Sequence, residues 1–386
     1  MGKLLRVAAL GLAALIILSG CADGTTGSDE QTVTVWAYPT ISDDARHKEL
    51  WANLVSRFNE TNPEVKIDVE IFPWAKRDEA LQTAITSDTA PDLVYLVPDQ
   101  LSSYEASIEP MNTYLGQDRR NTLLPNVAQA VTAGDRLLGA PMLISSNPLV
   151  CSATAFRAAG VMTYPSTWED VTEMAPRFTE KGMYALTYSA DPGQTLNMSF
   201  YPLLWQAGGS VFDADEQIAF NSPQGVRALE FLTALARGNA LEPDSLTTAL
   251  NTEQTEFAAG HSGCTWSIPA VDLAPVLGEE NVVVLPPLTD EQSVAYGTVG
   301  SLSLLKGSRN KEAAGRFAAF VTDPVNSIDY LQAGGYFSPA AGTTPLYASS
   351  PLQSRVEQTL PTVRFGEQNH AARQVMGVLS PEIQAA

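Results

Sequence analysis

Between residues 32 and 97 the chain switches its hydrophobic period four times, and this alternation restricts the fold more than any other feature. TVTVWA, residues 32 to 37, carries β-branched and aromatic residues at the density of a strand. Asp43 and Asp44 then open a segment whose Leu50, Trp51, Leu54, Val55 and Phe58 fall on one helical face, ended by Asn62 and Pro63. KIDVEI, residues 66 to 71, alternates with period two, and Ala80, Leu81, Ala84 and Ile85 make a second helical stripe. DLVYLV, residues 92 to 97, is a nearly continuous apolar run of the kind buried on both faces of a parallel sheet. Strand and helix in turn predict an α/β architecture.

The second half keeps this habit. Ser166 with Glu169 fits a capping box at the start of TWEDVTEMAPRF, with Pro165 just ahead of it. Residues 224 to 237 and 311 to 321 are amphipathic, and NVVVLPPL and TVGSLSLL supply strand-like runs at 281 to 288 and 298 to 305. There is no internal repeat.

Lys3 and Arg6 precede the apolar stretch VAALGLAALIIL, residues 7 to 18, and the small residues Ser19 and Gly20 follow. This is the anatomy of a secretory signal; twelve apolar residues fall short of the roughly 20 that a spanning helix needs. LSGC, residues 18 to 21, resembles the lipobox of bacterial lipoproteins, which implies cleavage before Cys21 and acylation of its new N-terminus. ADGTTGSDEQ after it holds no large apolar residue and reads as a flexible tether. Several acyl chains hold a protein stably at a membrane where one would be marginal, so the expected location is the outer face of the cell membrane, tethered there through a lipid anchor.

Removal of residues 1 to 20 leaves 366, too many for one compact core and suited to two lobes. The formal charge of −20 becomes −22 once Lys3 and Arg6 are gone. Such acidity argues against nucleic acid, whose phosphates need clustered Lys and Arg. Lipidation of Cys21 leaves Cys151 and Cys264 in an oxidising compartment, where a pair tends to become a disulfide; two buried free thiols are the alternative.

The order of motifs resembles that of the extracellular solute-binding proteins of ABC importers, specifically their maltose-binding-protein-like, sugar-binding group. APDLVYL (90–96) is similar to the family's "PD" strand and LGAPMLISSNPLV (138–150) to its first crossing between lobes. PSTWEDV (165–171), FAAGHSGCTW (257–266), VVVLPPL (282–288) and KGSRNKEAAGRFAAFV (306–321) continue the series in order, over roughly residues 31 to 375. The chain departs from the pattern at LVCSATAF (149–156), where the family commonly has a more polar strand end.

The resemblance implies two discontinuous α/β lobes of the periplasmic-binding-protein fold, joined by a hinge of three crossings with the ligand cleft between them. It divides the chain into the signal at 1–20, the tether at 21–30, one lobe at 31–144 with 287–323, and the other at 145–286 with 324–386. It also puts Cys151 and Cys264 on neighbouring strands of one lobe. The implied function is binding of a saccharide and its delivery, by hinge closure, to the transmembrane subunits of an ABC permease. The protein would act as a monomer, with no cofactor, no metal and no covalent step.

Sugars present apolar C–H faces and polar rims, so their sites pair aromatics with planar hydrogen-bonding groups. The matched cleft segments supply Tyr38, Asp99, Ser145, Asn147, Asn197, Tyr201, Trp205, Trp266, Tyr296, Thr298, Tyr336 and Phe337, and near the end Arg364, Asn369 and Arg373. Trp51 and Trp168 fit helical core stripes, Trp205 suits either role, and Trp74 is read as closing a loop. Two rival readings follow from the same residues. Arg364 and Arg373 as oxygen clamps would suit a glycerophosphodiester or phosphorylated sugar. A secreted polysaccharide hydrolase would need two carboxylates roughly 5–10 Å apart across the cleft. SLLK and SRNK, at 303–306 and 308–311, satisfy SxxK without an SDN or KTG motif, and His47, His261 and His370 lack metal-binding spacing.

Overall fold

The computed structural model describes residues 31–386 apart from 192–194, 249–250 and 344; the signal sequence, Cys21 and the tether lie outside the described residues. Two sheets organise the chain. The first contains β1 (Gln31–Ala37), β2 (Val65–Ile71), β3 (Leu93–Leu96), β4 (Ile108–Glu109), β7 (Ala140–Ile144) and β13 (Val299–Leu305). β1 pairs in parallel with β2 and β3, while β13 runs antiparallel to β3, β4 and β7. Alternation along β1 turns Val33, Val35 and Ala37 into the core, and all four residues of β3 are buried, as its unbroken apolar run requires. A small hairpin of β5 (Thr132–Ala133) and β6 (Arg136–Leu137) precedes β7.

The second sheet has the order β11 (Val282–Leu285), β8 (Leu149–Ser152), β10 (Ser262–Thr265), β9 (Tyr184–Leu186). β8 is antiparallel to both its neighbours, and Cys151 sits opposite Cys264 in the β8–β10 register. A buried disulfide joins the two, with Cα atoms 4.0 Å apart and a separation of 113 positions in sequence. The helices follow their expected segments closely: Asp44–Asn59 buries Leu50, Trp51, Leu54 and Phe58, and Lys311–Val321 buries Phe317 and Val321. One cap differs from expectation. The box at helix Trp168–Thr179 is formed by Thr167 and Asp170, because the Asp170 carboxylate accepts from the Ser166 and Thr167 amides at 2.8 and 2.9 Å and the Ser166 hydroxyl at 2.8 Å. Ser166 therefore supports the cap from one residue further out.

The chain passes between the sheets at 145–148 and again between β11 and β13, and β14 (Val363–Arg364) lies beside the second passage. β12 (Ala295–Tyr296) pairs in parallel with β14. The Ser145 amide donates to the Thr298 carbonyl at 2.9 Å, the Asn147 amide to the Tyr296 carbonyl at 2.8 Å, and the Gly297 amide to the Arg364 carbonyl at 3.0 Å. Gly297 is required for this approach: a Cβ there would lie 2.5 Å from the Ser145 carbonyl oxygen and 2.8 Å from the Val363 Cβ.

Residues 328–347 depart from the expectation that 324–386 sits wholly with the second lobe. The Tyr330 hydroxyl is 2.8 Å from His47 Nε2 on the first long helix, the Phe337 amide donates to the Ile144 carbonyl at 2.9 Å, and Tyr336 Oη donates to the Thr40 carbonyl. His47 is fully buried, and the Tyr330 hydroxyl and the Trp51 indole both bond its Nε2, which ties this segment to the first helix. Helix Pro351–Glu357 then packs on β11, and helix Ala372–Ala385 buries Ala372 and Met376 in the core of the second lobe. No helix among the described residues is long and apolar enough to cross a membrane.

Two expectations follow. Gly297→Ala forces the crossings apart and lowers unfolding free energy by about 1–3 kcal/mol, read as a shift of the urea midpoint. Replacing both Cys151 and Cys264 by Ala removes a closure that the chain-entropy model values at about 4–5 kcal/mol for a loop near 100 residues; intact mass before and after reduction checks the bridge itself, and two alkylatable thiols in the unreduced protein would contradict it.

Candidate functional site

The site is built where helix starts from the first lobe face the second lobe. Asp78 lies in the first turn of helix Arg77–Thr86 and Asp99 in the first turn of helix Pro98–Tyr104, positions where an acid meets the positive end of the helix dipole. Arg373, on the last helix, reaches across to both. Its Nη2 and Nε bond Asp78 Oδ2 at 2.7 and 3.0 Å, and its Nη1 bonds Asp99 Oδ2 at 3.2 Å. Asn197, from the second lobe, donates to the same Asp99 oxygen at 3.4 Å.

Opposing effects set the charges of this cluster. Burial alone would raise the Asp78 carboxyl, but Arg373 and the hydrogen bonds from Gln100 and Arg373 outweigh it and hold the pKa below the ordinary carboxylate value. Burial likewise opposes the Arg373 charge, and Asp99 and Asp78 overcome it and raise the pKa. Arg77 lies over the Trp74 and Tyr38 rings, 4.7 and 5.6 Å from their centroids, and makes no hydrogen bond or ion pair among the described residues. Its pKa is lowered, first by burial and then by Arg373.

Around this centre the structure gathers further expected residues. Tyr38 is buried, its pKa pushed up to about 12 by burial, and its ring stacks on Trp74 at 5.1 Å. Trp205 belongs to the core of helix Phe200–Gln206 and also to the site: its indole donates to Glu367 Oε1 at 2.9 Å, and the Arg364 guanidinium lies 4.9 Å from its ring centroid. Arg364 itself pairs with Glu367 at 3.0 Å. Tyr201, one helical turn before Trp205, is buried, and burial together with Glu367 and Asp99 pushes its hydroxyl up. Asn369 is buried two residues beyond Glu367. Gly366, with φ of 84°, brings the backbone so close that a Cβ would lie 3.1 Å from Asn197 Oδ1.

The other expected residues are placed differently. Ser145, Asn147, Tyr296 and Thr298 lie in the crossings, and the cluster's field reaches Tyr296, whose hydroxyl is raised to about 12 by burial and then by Asp99. Trp266 donates to the Ser199 carbonyl at 3.1 Å and lines a small cavity with Asn147, Pro202 and Gln206. Tyr336 has its hydroxyl committed to Thr40, and Phe337 packs against Tyr347 at 5.3 Å in the core.

Sequence reasoning passed over Trp74, Arg77, Asp78 and Glu367. Trp74 does close a loop, through its indole bond to the Pro39 carbonyl at 3.0 Å, yet it is 42 % exposed and stacked on Tyr38. WAKRD at 74–78, an aromatic followed by a charged helix start just after a strand, was the available signal.

Arg373→Met leaves two facing carboxylates without their cation. At neutral pH it lowers stability by about 2–3 kcal/mol. The Asp78 pKa is depressed in the folded protein, so the stability it contributes is present above its unfolded value, near 3.8, and is lost as pH falls through the folded one. The difference between parent and variant in denaturant titrations therefore shrinks as pH drops below that value.

The model of the bacterial extracellular solute-binding protein family matches residues 44–327. A Brucella abortus (strain 2308) protein named only as a binding protein is 20% identical over 319 residues, spanning 80% of this chain and 75% of its own. An uncharacterized lipoprotein of Streptomyces antibioticus is 26% identical over 222 residues, 55% of this chain and 47% of that one. Among solved structures, maltose-bound MalE3 of T. maritima aligns with a TM-score of 0.79 at 19% identity, over 92% of this chain and 94% of that one. An ABC substrate-binding protein of Listeria monocytogenes in complex with cycloalternan gives 0.78 at 20% identity, over 92% and 93%. At such identities the structural likeness carries the two-lobed periplasmic-binding-protein fold, and the family model, matched over most of the chain, carries the relationship: this protein belongs to the bacterial extracellular solute-binding proteins.

Proposed function

We propose that the protein binds an uncharged saccharide between its lobes and hands it, by hinge closure and without a covalent step, to an ABC permease. One observation carries this reading. Tyr38 Oη, Asn147 Nδ2, Asn197 Oδ1, Tyr201 Oη and Asn369 Nδ2 come from both lobes, a crossing and the C-terminal segment, and each is buried without a hydrogen-bond partner among the described residues. Native proteins rarely leave such groups unpaired, and a mixed set of donors and acceptors beside aromatic faces suits a ring of hydroxyls. Solved relatives with the same fold are described as bound to maltose, cycloalternan and α-D-tagatose.

Charge separates this reading from its rivals. Arg373 spends its guanidinium on two carboxylates and Arg364 is partly neutralised by Glu367, which favours an uncharged solute over a phosphate. A hydrolase would need a carboxyl free to accept or give a proton, whereas Asp78 and Asp99 are both held by Arg373. The signal, Cys21 and the tether support a lipid-anchored receptor on the outer face of the membrane.

A thermal-shift screen of the soluble chain from residue 22 against neutral mono-, di- and oligosaccharides, phosphorylated sugars and glycerophosphodiesters tests the proposal. A neutral sugar at 100-fold its dissociation constant stabilises by about 2.7 kcal/mol, and Asn197→Ala reduces that gain. Stabilisation by the phosphorylated compounds alone, or turnover of an oligosaccharide, would replace the reading.

A further inference from the structure

We infer that Arg373 is a clasp that draws the two lobes together before any solute arrives, so that solute binding adds to a closure already favoured and does not initiate it; the inference uses the hinge of the reading above and not its solute. Arg373 stands in the first turn of helix Ala372–Ala385, whose Ala372 and Met376 are buried in the core of the second lobe. Its partners belong to the first lobe. Asp78 is on helix Arg77–Thr86 and Asp99 on helix Pro98–Tyr104, elements whose Leu81 and Leu101 lie in the other core. The guanidinium thus makes two ion pairs from one lobe to the other, at 2.7 Å to Asp78 and 3.2 Å to Asp99.

The acceptors are set in place by their own lobe. Gln100, itself buried, donates through its side chain to Asp78 Oδ1 at 2.6 Å and through its amide to Asp99 Oδ1 at 3.0 Å. Both bonds lie within the first lobe and so do not depend on its distance from the second, and they leave Oδ2 of each carboxylate to Arg373. Groups ordered in advance lose little freedom when their partner arrives. The surroundings strengthen the pairs: the Asp99 side chain is 3% exposed and that of Arg373 21%, and charges so placed attract more strongly than in bulk water. Arg373 commits Nε, Nη1 and Nη2 to these two carboxylates, which makes it a positioning residue for closure.

Further bonds follow the same seam. Gln368, ahead of the last helix, donates to the Gln129 carbonyl at 3.4 Å, and Ser103 to the His370 carbonyl at 3.3 Å. Asn197 donates to Asp99 at 3.4 Å and Ser42 to Asp272 at 3.0 Å. All four have neutral donors, and such a bond contributes little where water can replace it. They give the closed lobes their register, and the charges of Arg373, Asp78 and Asp99 hold it. Opening trades the two ion pairs for three separately hydrated charges, and salt favours that exchange because it screens exposed charges more than buried ones.

Small-angle X-ray scattering of the sugar-free soluble chain from residue 22, fitted as a mixture of open and closed lobes, tests this. The parent is expected to scatter as the closed structure described here at about 0.01 M NaCl and to expand as salt rises to about 1 M, where the Debye length falls from about 30 to about 3 Å. At low salt Arg373→Met raises the open-to-closed ratio at least about 10-fold, the equivalent of about 1.4 kcal/mol. Arg373→Lys, which keeps the charge, falls between the two, and Asp78→Asn with Asp99→Asn adds no further opening to Arg373→Met. A lower urea midpoint in Arg373→Met with no change in radius of gyration, a parent already as open as that variant, or a radius that salt leaves unchanged would overturn the clasp. The salt titration of the parent keeps the test valid where a variant folds poorly. No sugar enters these measurements, so a failed clasp leaves the saccharide reading standing, and a failed sugar screen leaves the clasp to its own result.

Discussion

The two lobes are held in register by three strips of backbone that hydrogen-bond to one another where the chain crosses between sheets. Ser145 with Thr298, Asn147 with Tyr296, and Gly297 with Arg364 form a narrow ribbon. Because the contacts are main-chain bonds, they set the spacing of the lobes with little dependence on side chains. Gly297 is the residue that permits it, since the neighbouring carbonyl and Val363 occupy the volume a side chain would need.

Above the ribbon, the lobes meet through charge. Arg373 stands on a helix whose other face is packed into the second lobe, yet its guanidinium is bonded to carboxylates of the first. Ser42 and Asp272 make a further contact between the lobes at 3.0 Å. Such pairs fix orientation more than they add stability, because desolvation offsets much of the attraction.

The strands and long helices were legible in the sequence because each is set by a local period. β1, β2 and β3 show it, and so does the face of Asp44–Asn59. What stayed hidden depends on partners distant in sequence. His47 and Tyr330 are 283 residues apart, and nothing local marks 328–347 as a companion of the first helix. Tyr336 and Phe337 looked like cleft residues because they follow a Gly-Gly turn, but a turn does not reveal which side its aromatics face. Conversely Trp74 was set aside as a loop residue, and the loop it closes is the one that carries it onto Tyr38. Charged site residues such as Glu367 were obscured in a chain so rich in acids.

The bridge between Cys151 and Cys264 makes a covalent ring of the intervening chain, and that ring contains β9 and the helices Trp168–Thr179, Phe200–Gln206 and Pro223–Arg237. A single protease cut within it opens the ring without releasing either piece, since both remain joined through sulfur. In a compartment without ATP-driven repair, a nicked receptor of this design keeps all its parts in place, and a loop on the surface of the second lobe is free to be cut without the lobe being lost.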